Sequence, residues 1–179
     1  EVASKTIEKG VLLVHTGHGK GKSTAAFGLA LRALGHGWRI GFVQFIKGAW
    51  QTGERDALMR FGDQVSWHTM GEGFTWETQD RERDIAAATR AFAKARELMA
   101  DPTIRLLILD ELNIALRYDY LPIDEVVAAL RDRRSDLHVV VTGRNAKPEL
   151  IALADGVTDM GAVKHHFAAG IKAQEGIEF

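Results

Sequence analysis

Apolar residues in this chain fall into short runs that alternate with helical stripes. Val11–His15 is a short apolar run after Gly10, broken by Gly17, Gly19 and Gly21, as in a buried strand entering a loop. From Ser23, Phe27, Leu31 and Leu34 recur at helical spacing, and Gly35 and Gly37 supply a stop. Ile40–Ile46 predicts a second strand and Val65–Met70 a third, with a short helix over Thr52–Phe61 between them. Residues 71–76 read as loop. Thr78 is expected to cap a long helix, with Asp80 and Glu82 at its positive end and Ile85, Ala88, Phe92, Ala95 and Met99 as one stripe. Asp101-Pro102 ends it. Ile104–Leu109 reads as a central strand running directly into Asp110-Glu111, and Pro122 opens a helix reaching Asp132. Leu137–Val141 predicts a strand, Pro148–Ala154 a helix and Val157–Met160 a last short strand.

Strands and helices alternating at this spacing predict an α/β fold, a three-layer sandwich with a mostly parallel central sheet. Residues 1–9 read as an N-terminal arm, expected to be truncated because the first residue is Glu, and 10–179 as a single domain. The 179 residues, 46% apolar and 26% charged, suit one globular core. Apolar stretches such as Val11–Val14 fall far short of the roughly 20 residues that span a bilayer, so no membrane partner is expected. The absence of Cys removes disulfides, thiolate metal sites and thiol nucleophiles, and fits a cytoplasmic setting. With 23 Lys+Arg against 24 Asp+Glu, the net charge of −1 gives no general field for nucleic acid. The densest basic cluster, Arg131-Asp132-Arg133-Arg134, reads as a solvated helix end.

Candidate chemistry concentrates in Thr16-Gly17-His18-Gly19-Lys20-Gly21-Lys22-Ser23-Thr24. Strand, glycine-rich turn, Lys-Ser and helix follow one another in the order a phosphate cradle requires. Glycines let backbone N–H groups converge on phosphate oxygens, and the helix N-terminus adds its dipole. Lys22 would neutralise a phosphate, and the Ser23 hydroxyl would ligate Mg²⁺. Thr16 stands where the usual P-loop pattern has its first glycine. A dinucleotide fingerprint fails, because its third glycine would fall at Lys22. A flexible surface turn would not explain three alternating glycines between a strand and an amphipathic helix. Asp110-Glu111, at the end of a buried strand, is expected to complete the Mg²⁺ site, with either carboxylate nearer the ion. An acidic helix start is the plain alternative for that pair. A base-reading Asn-Lys-x-Asp is missing, which removes support for guanine specificity, while a P-loop kinase acting on a small metabolite remains compatible with the loop. So does a nucleotide-gated binding protein without turnover.

Several further blocks narrow this. Val43-Gln44-Phe45-Ile46-Lys47-Gly48, Gly73-Phe74-Thr75-Trp76-Glu77-Thr78-Gln79, Leu109-Asp110-Glu111-Leu112, Thr142-Gly143-Arg144 and the C-terminal run Val163–Ile177 follow the phosphate loop in order. With the loop, they resemble the ATP:cob(I)alamin (corrinoid) adenosyltransferases of the P-loop NTPase-like type over residues 10–179. His18 stands where that family usually has Asn, and Ser23 where it has Thr. The second keeps a hydroxyl; the first removes an amide. The resemblance implies transfer of the 5′-deoxyadenosyl group of ATP to Co(I) of a reduced corrinoid, with triphosphate leaving, in adenosylcobalamin biosynthesis or salvage. It implies ATP contacts over Thr16–Thr24, catalytic roles for Lys22, Phe74 and Trp76, and packing of Phe74 and Trp76 against the lower corrin face. It further implies a flavoprotein-type reductant and a homodimer. By contrast, His15, His36, His68 and His138 read as structural, Trp38, Trp50 and Trp67 as packing residues, and adjacent His165 and His166 as a poor geometry for one metal ion.

Overall fold

The computed structural model describes residues 2–46, 52–70 and 80–179. Six strands form one sheet: β1 (Leu12–Thr16), β2 (Arg39–Gln44), β3 (Val65–Thr69), β4 (Ile104–Asp110), β5 (His138–Thr142) and β6 (Gly156–Asp159). Their order is β3-β2-β4-β5-β1-β6, and every pairing among these strands is parallel. Parallel strands covered on both faces carry continuous apolar runs, which is why Leu106–Leu109 is buried at every position rather than at alternate ones.

Helix α1 (Lys22–Gly35) and the short α2 (Gly53–Met59) cover one face; α3 (Arg81–Ala100), α4 (Leu112–Arg117), α5 (Ile123–Arg131) and α6 (Pro148–Leu153) cover the other. Ala26, Ala30 and Ala33 line the buried stripe of α1, and small side chains there let the helix lie close on Ile40, Phe42, Ile108 and Val140. Phe42 stacks on Trp67 with ring centroids 3.9 Å apart, and Phe27 lies 5.1 Å from Phe42, so this face ends in an aromatic stack. Trp38 stacks on His138 at 5.3 Å and carries the Arg105 guanidinium at 4.0 Å. Among the described residues no helix is long and apolar enough to cross a membrane.

Three local expectations change. The long helix is capped by Asp80, whose side chain accepts the Arg83 N–H at 3.1 Å; Thr78 and the glycine-flanked aromatics lie outside the described residues, as do Lys47, Gly48 and Trp50. Helix α4 had no sequence signal, because β4 runs into it with neither Gly nor Pro between, the turn being made by Glu111 at φ +63°. The basic cluster after α5 is only partly a solvated end. Arg133 donates to Gly10 O at 2.9 Å, Leu130 O at 2.8 Å and Leu137 O at 3.0 Å, and Arg134 to the carbonyls of Met99, Asp101 and Ile104. The fork geometry of arginine lets one side chain satisfy several carbonyls at the start of the sheet.

Arg133→Ala is therefore expected to destabilise the fold by about 1–3 kcal/mol in chemical denaturation, since it strands carbonyls and removes packing from a side chain only 10% exposed. Arg131→Ala, whose side chain meets Asp132 in solvent, should leave the midpoint unchanged.

Candidate active site

A cavity of about 710 Å³ opens at the C-terminal ends of the strands, where parallel α/β sheets place ligands. Its floor is the loop after β1. Gly17 adopts φ +99°, and a Cβ there would sit 2.4 Å from Asp159 Oδ1; a Cβ at Gly19 would sit 2.6 Å from Gly161 O. The loop is thus pressed onto the end of β6, with Gly19 N–H donating to Met160 O at 2.6 Å. Gly21, at φ +112°, turns the chain into α1. Two constraints explain the three glycines: close approach to residues 159–161 at Gly17 and Gly19, and left-handed backbone at Gly17 and Gly21.

Of the sequence-predicted residues, His18 to Thr24 line the cavity, whereas Thr16 and Gly17 lie beneath it. The Thr16 hydroxyl accepts the Ala146 N–H at 3.1 Å, tying the base of the loop to the segment after β5. Lys22 is 9% exposed, and its ammonium donates to Gly19 O at 2.6 Å, inside the loop's own curve. Burial, reinforced by the nearby Arg144 charge, lowers its pKa. His15 sits below, its Nδ1 3.3 Å from Lys22 O, and joins β1 to α1.

Ser23, in the first turn of α1, donates its hydroxyl to Asp110 Oδ1 at 2.7 Å. Thr142 donates to the same oxygen at 2.7 Å, and the Glu111 N–H donates to Thr142 at 3.0 Å. Asp110 is 4% exposed; burial raises its pKa, opposed by hydrogen bonds from Thr142, Ser23 and Gln44. Glu111 is half-buried on the cavity wall in a left-handed conformation uncommon for a side chain of its size. Desolvation first, then the Asp110 charge, pushes its pKa from 4.5 to about 7, against the attraction of Lys22 and Arg144. The two adjacent acids therefore have distinct settings, one locked among hydroxyls and one facing the cavity.

Further residues without a sequence-predicted site role join the wall, although Gln44 and Arg144 stand in blocks that carry the family resemblance. Gln44 and Arg144 sit at the ends of β2 and just after β5, the positions that a parallel sheet directs toward its ligand. Arg144 is aimed by its neighbour: Gly143 takes φ +128°, its carbonyl receives Asn113 Nδ2 at 2.8 Å, and a Cβ there would meet Asn113 Cβ at 2.8 Å. Glu178 reaches the wall from the far end of the chain, a placement no local pattern announces. His165 and His166 stack on each other at 4.7 Å; His166 Nε2 lies 2.7 Å from Glu178 Oε1, and His165 Nδ1 accepts the Phe167 N–H.

A parallel strand, a glycine loop, a Lys-Ser pair opening a helix, and a strand-end Asp bonded to that Ser define a P-loop nucleotide-binding protein. A structural relative agrees on the fold: the flagellar accessory protein FlaH from Methanocaldococcus jannaschii superimposes with a TM-score of 0.54 at 12% identity, over 86% of this chain and 72% of that one. The family model for ATP:corrinoid adenosyltransferase BtuR/CobO/CobP matches residues 8–179, and the chain belongs to that family. It is similar to the corrinoid adenosyltransferase of Pseudomonas aeruginosa, at 59% identity over 100% of this chain and 88% of the relative. The corrinoid adenosyltransferase of Escherichia coli is 48% identical, over 99% of this chain and 90% of the relative.

The Glu111 shift sets a pH dependence. Between 4.5 and about 7 the folded, nucleotide-free chain holds a proton that the unfolded chain has released, so Glu111 costs stability as pH rises through that window. Glu111→Gln should melt above the unsubstituted protein at pH 8 and close to it at pH 5, by calorimetry without nucleotide. An equal gain at both values would assign the effect to something other than the charge.

Proposed function

We propose that this chain transfers the 5′-deoxyadenosyl group of ATP to the Co(I) of a reduced corrinoid and releases triphosphate. The observation that carries the reading is the Lys22–Ser23–Asp110 constellation on the phosphate loop of a chain in the corrinoid adenosyltransferase family. In this reaction the cobalt electron pair attacks C5′ and the C5′–O bond breaks, its electrons leaving on the triphosphate. Co(I) is already nucleophilic, so no general base is required. The protein's tasks are alignment and neutralisation of a polyanion.

The residues suit those tasks. Lys22, folded back on Gly19 O, can swing its ammonium to a phosphate oxygen without crossing the cavity, and that partner would restore its pKa. Lys20, Arg144 and the loop N–H groups add positive potential along the same wall. Bound this way, the triphosphate lies on the loop and C5′ points outward, toward the corrin. Ser23, Asp110 and Glu111 offer a hard oxygen set that suits Mg²⁺, with Asp110 orienting the Ser23 hydroxyl. Among the described residues no group of three or more acids or histidines would hold an ion alone, so phosphate oxygens would complete the shell. Bound Mg²⁺ would neutralise phosphate charge and stabilise the leaving group. Phe74 and Trp76 belong to this reading as the pair that packs on the lower corrin face. A flavoprotein-type electron donor and a homodimer complete it on family grounds, and a cytoplasmic location on the lack of Cys in the sequence.

The test is product identity. The protein is incubated with ATP, Mg²⁺ and chemically reduced cobalamin, and products are resolved by chromatography and ³¹P NMR. Adenosylcobalamin with intact triphosphate in equal amounts is expected, and Lys22→Ala should lower its formation by about 30-fold or more while circular dichroism is unchanged. ADP with a phosphorylated acceptor would establish a kinase instead.

A further inference from the structure

The C-terminal segment folds back onto the phosphate loop. Beyond a 3₁₀ turn over His166–Ala169, residues 174–179 make a reverse turn in which Glu178 N–H donates to Gln174 O at 2.8 Å and Gly176 N–H to Phe179 O at 2.8 Å. Gly176 takes the φ of +78° that this turn requires. The turn directs one side chain inward: Gln174 to Ile177 are exposed, yet the Glu178 side chain is only 12% exposed. Its Oε2 is paired with Lys20 Nζ, and its Oε1 lies 2.7 Å from His166 Nε2. The Lys20 hydrogen bond holds the Glu178 carboxyl below the usual carboxylate range, so it is an anion at neutral pH.

Lys20 belongs to the loop read above as the phosphate cradle, and it lines the same cavity as Glu178. One ammonium cannot serve a carboxylate and a polyphosphate in full at once, and a carboxylate left beside a bound triphosphate would repel it. We propose that Glu178 is a built-in counter-anion of the phosphate loop: it holds Lys20 while the cradle is free, a triphosphate chain displaces it, and this exchange sets the site's affinity for nucleotide. The inference rests on the reading of residues 16–24 as a phosphate cradle. It assigns Glu178 an affinity-setting role, and it makes the order of the segment 171–179 depend on what occupies the loop.

Inorganic triphosphate and ATP are titrated into the protein by calorimetry, for the unsubstituted chain, Glu178→Gln, Lys20→Ala and the double variant. Glu178→Gln should bind both ligands about three- to tenfold more tightly, and the gain should vanish on the Lys20→Ala background. Amide hydrogen exchange on the unsubstituted protein supplies a readout that needs no variant: residues 171–179 should exchange faster with triphosphate bound. Unchanged or weaker binding by Glu178→Gln, or slower exchange of 171–179 on binding, would overturn the counter-anion role. If the unsubstituted protein binds neither ligand, the cradle reading itself fails, which separates the two outcomes.

Discussion

A carboxylate sealed from solvent needs partners for its charge, and Asp110 draws them from three other elements of the fold. Ser23 comes from the first turn of α1, Thr142 from the end of β5 and Gln44 from the end of β2. Their hydrogen bonds favour the ionised carboxylate and oppose the burial that raises its pKa, beneath a loop that carries two lysines. The same bonds fix the helix that follows the loop against the strands that end around it. The register of the sheet supports this, since Gln44 and Asp110 are direct neighbours across β2 and β4.

The loop is held from its other side by close packing against the end of β6. Gly17 and Gly19 lie where any side chain would strike residues 159–161, so the short strand β6 acts as the wall against which the cradle is formed. Strain is concentrated nearby. Gly17, Gly21 and Gly143 take positive φ without steric cost, whereas Glu111 takes it with a full side chain, a conformation that the buried sheet beneath it over-determines. A site held rigidly in this way suits chemistry in which the nucleophile arrives ready-made and the protein contributes position and charge.

The sheet, its order of elements and the phosphate loop were legible because they rest on local patterns: apolar runs, alternating glycines, a Lys-Ser pair at a helix start. The sequence named Asp110-Glu111 as the acids that would complete the site, but not that Asp110 is the one bonded to Ser23, since their separation of 87 residues is closed by the sheet and not by spacing. Helix α4 escaped notice because Glu111 makes a turn that glycine usually makes. Arg133 and Arg134 looked like surface charge because a sequence shows side-chain type and hides the carbonyls that the fold leaves needing donors. Glu178 lies 158 residues from Lys20, and nothing in its neighbourhood marks it as a wall of the cavity.

If Asp110 serves the nucleotide by orienting Ser23, the two side chains form a single functional unit. The direct measurement is a double-mutant cycle on ATP affinity in Mg²⁺, by calorimetry, over Ser23→Ala, Asp110→Asn and the pair. The double variant should lose scarcely more than the worse single variant, a coupling of about 1–3 kcal/mol. Losses that simply add would mean that the two residues act independently, and the hydrogen bond between them would then be no more than a packing contact.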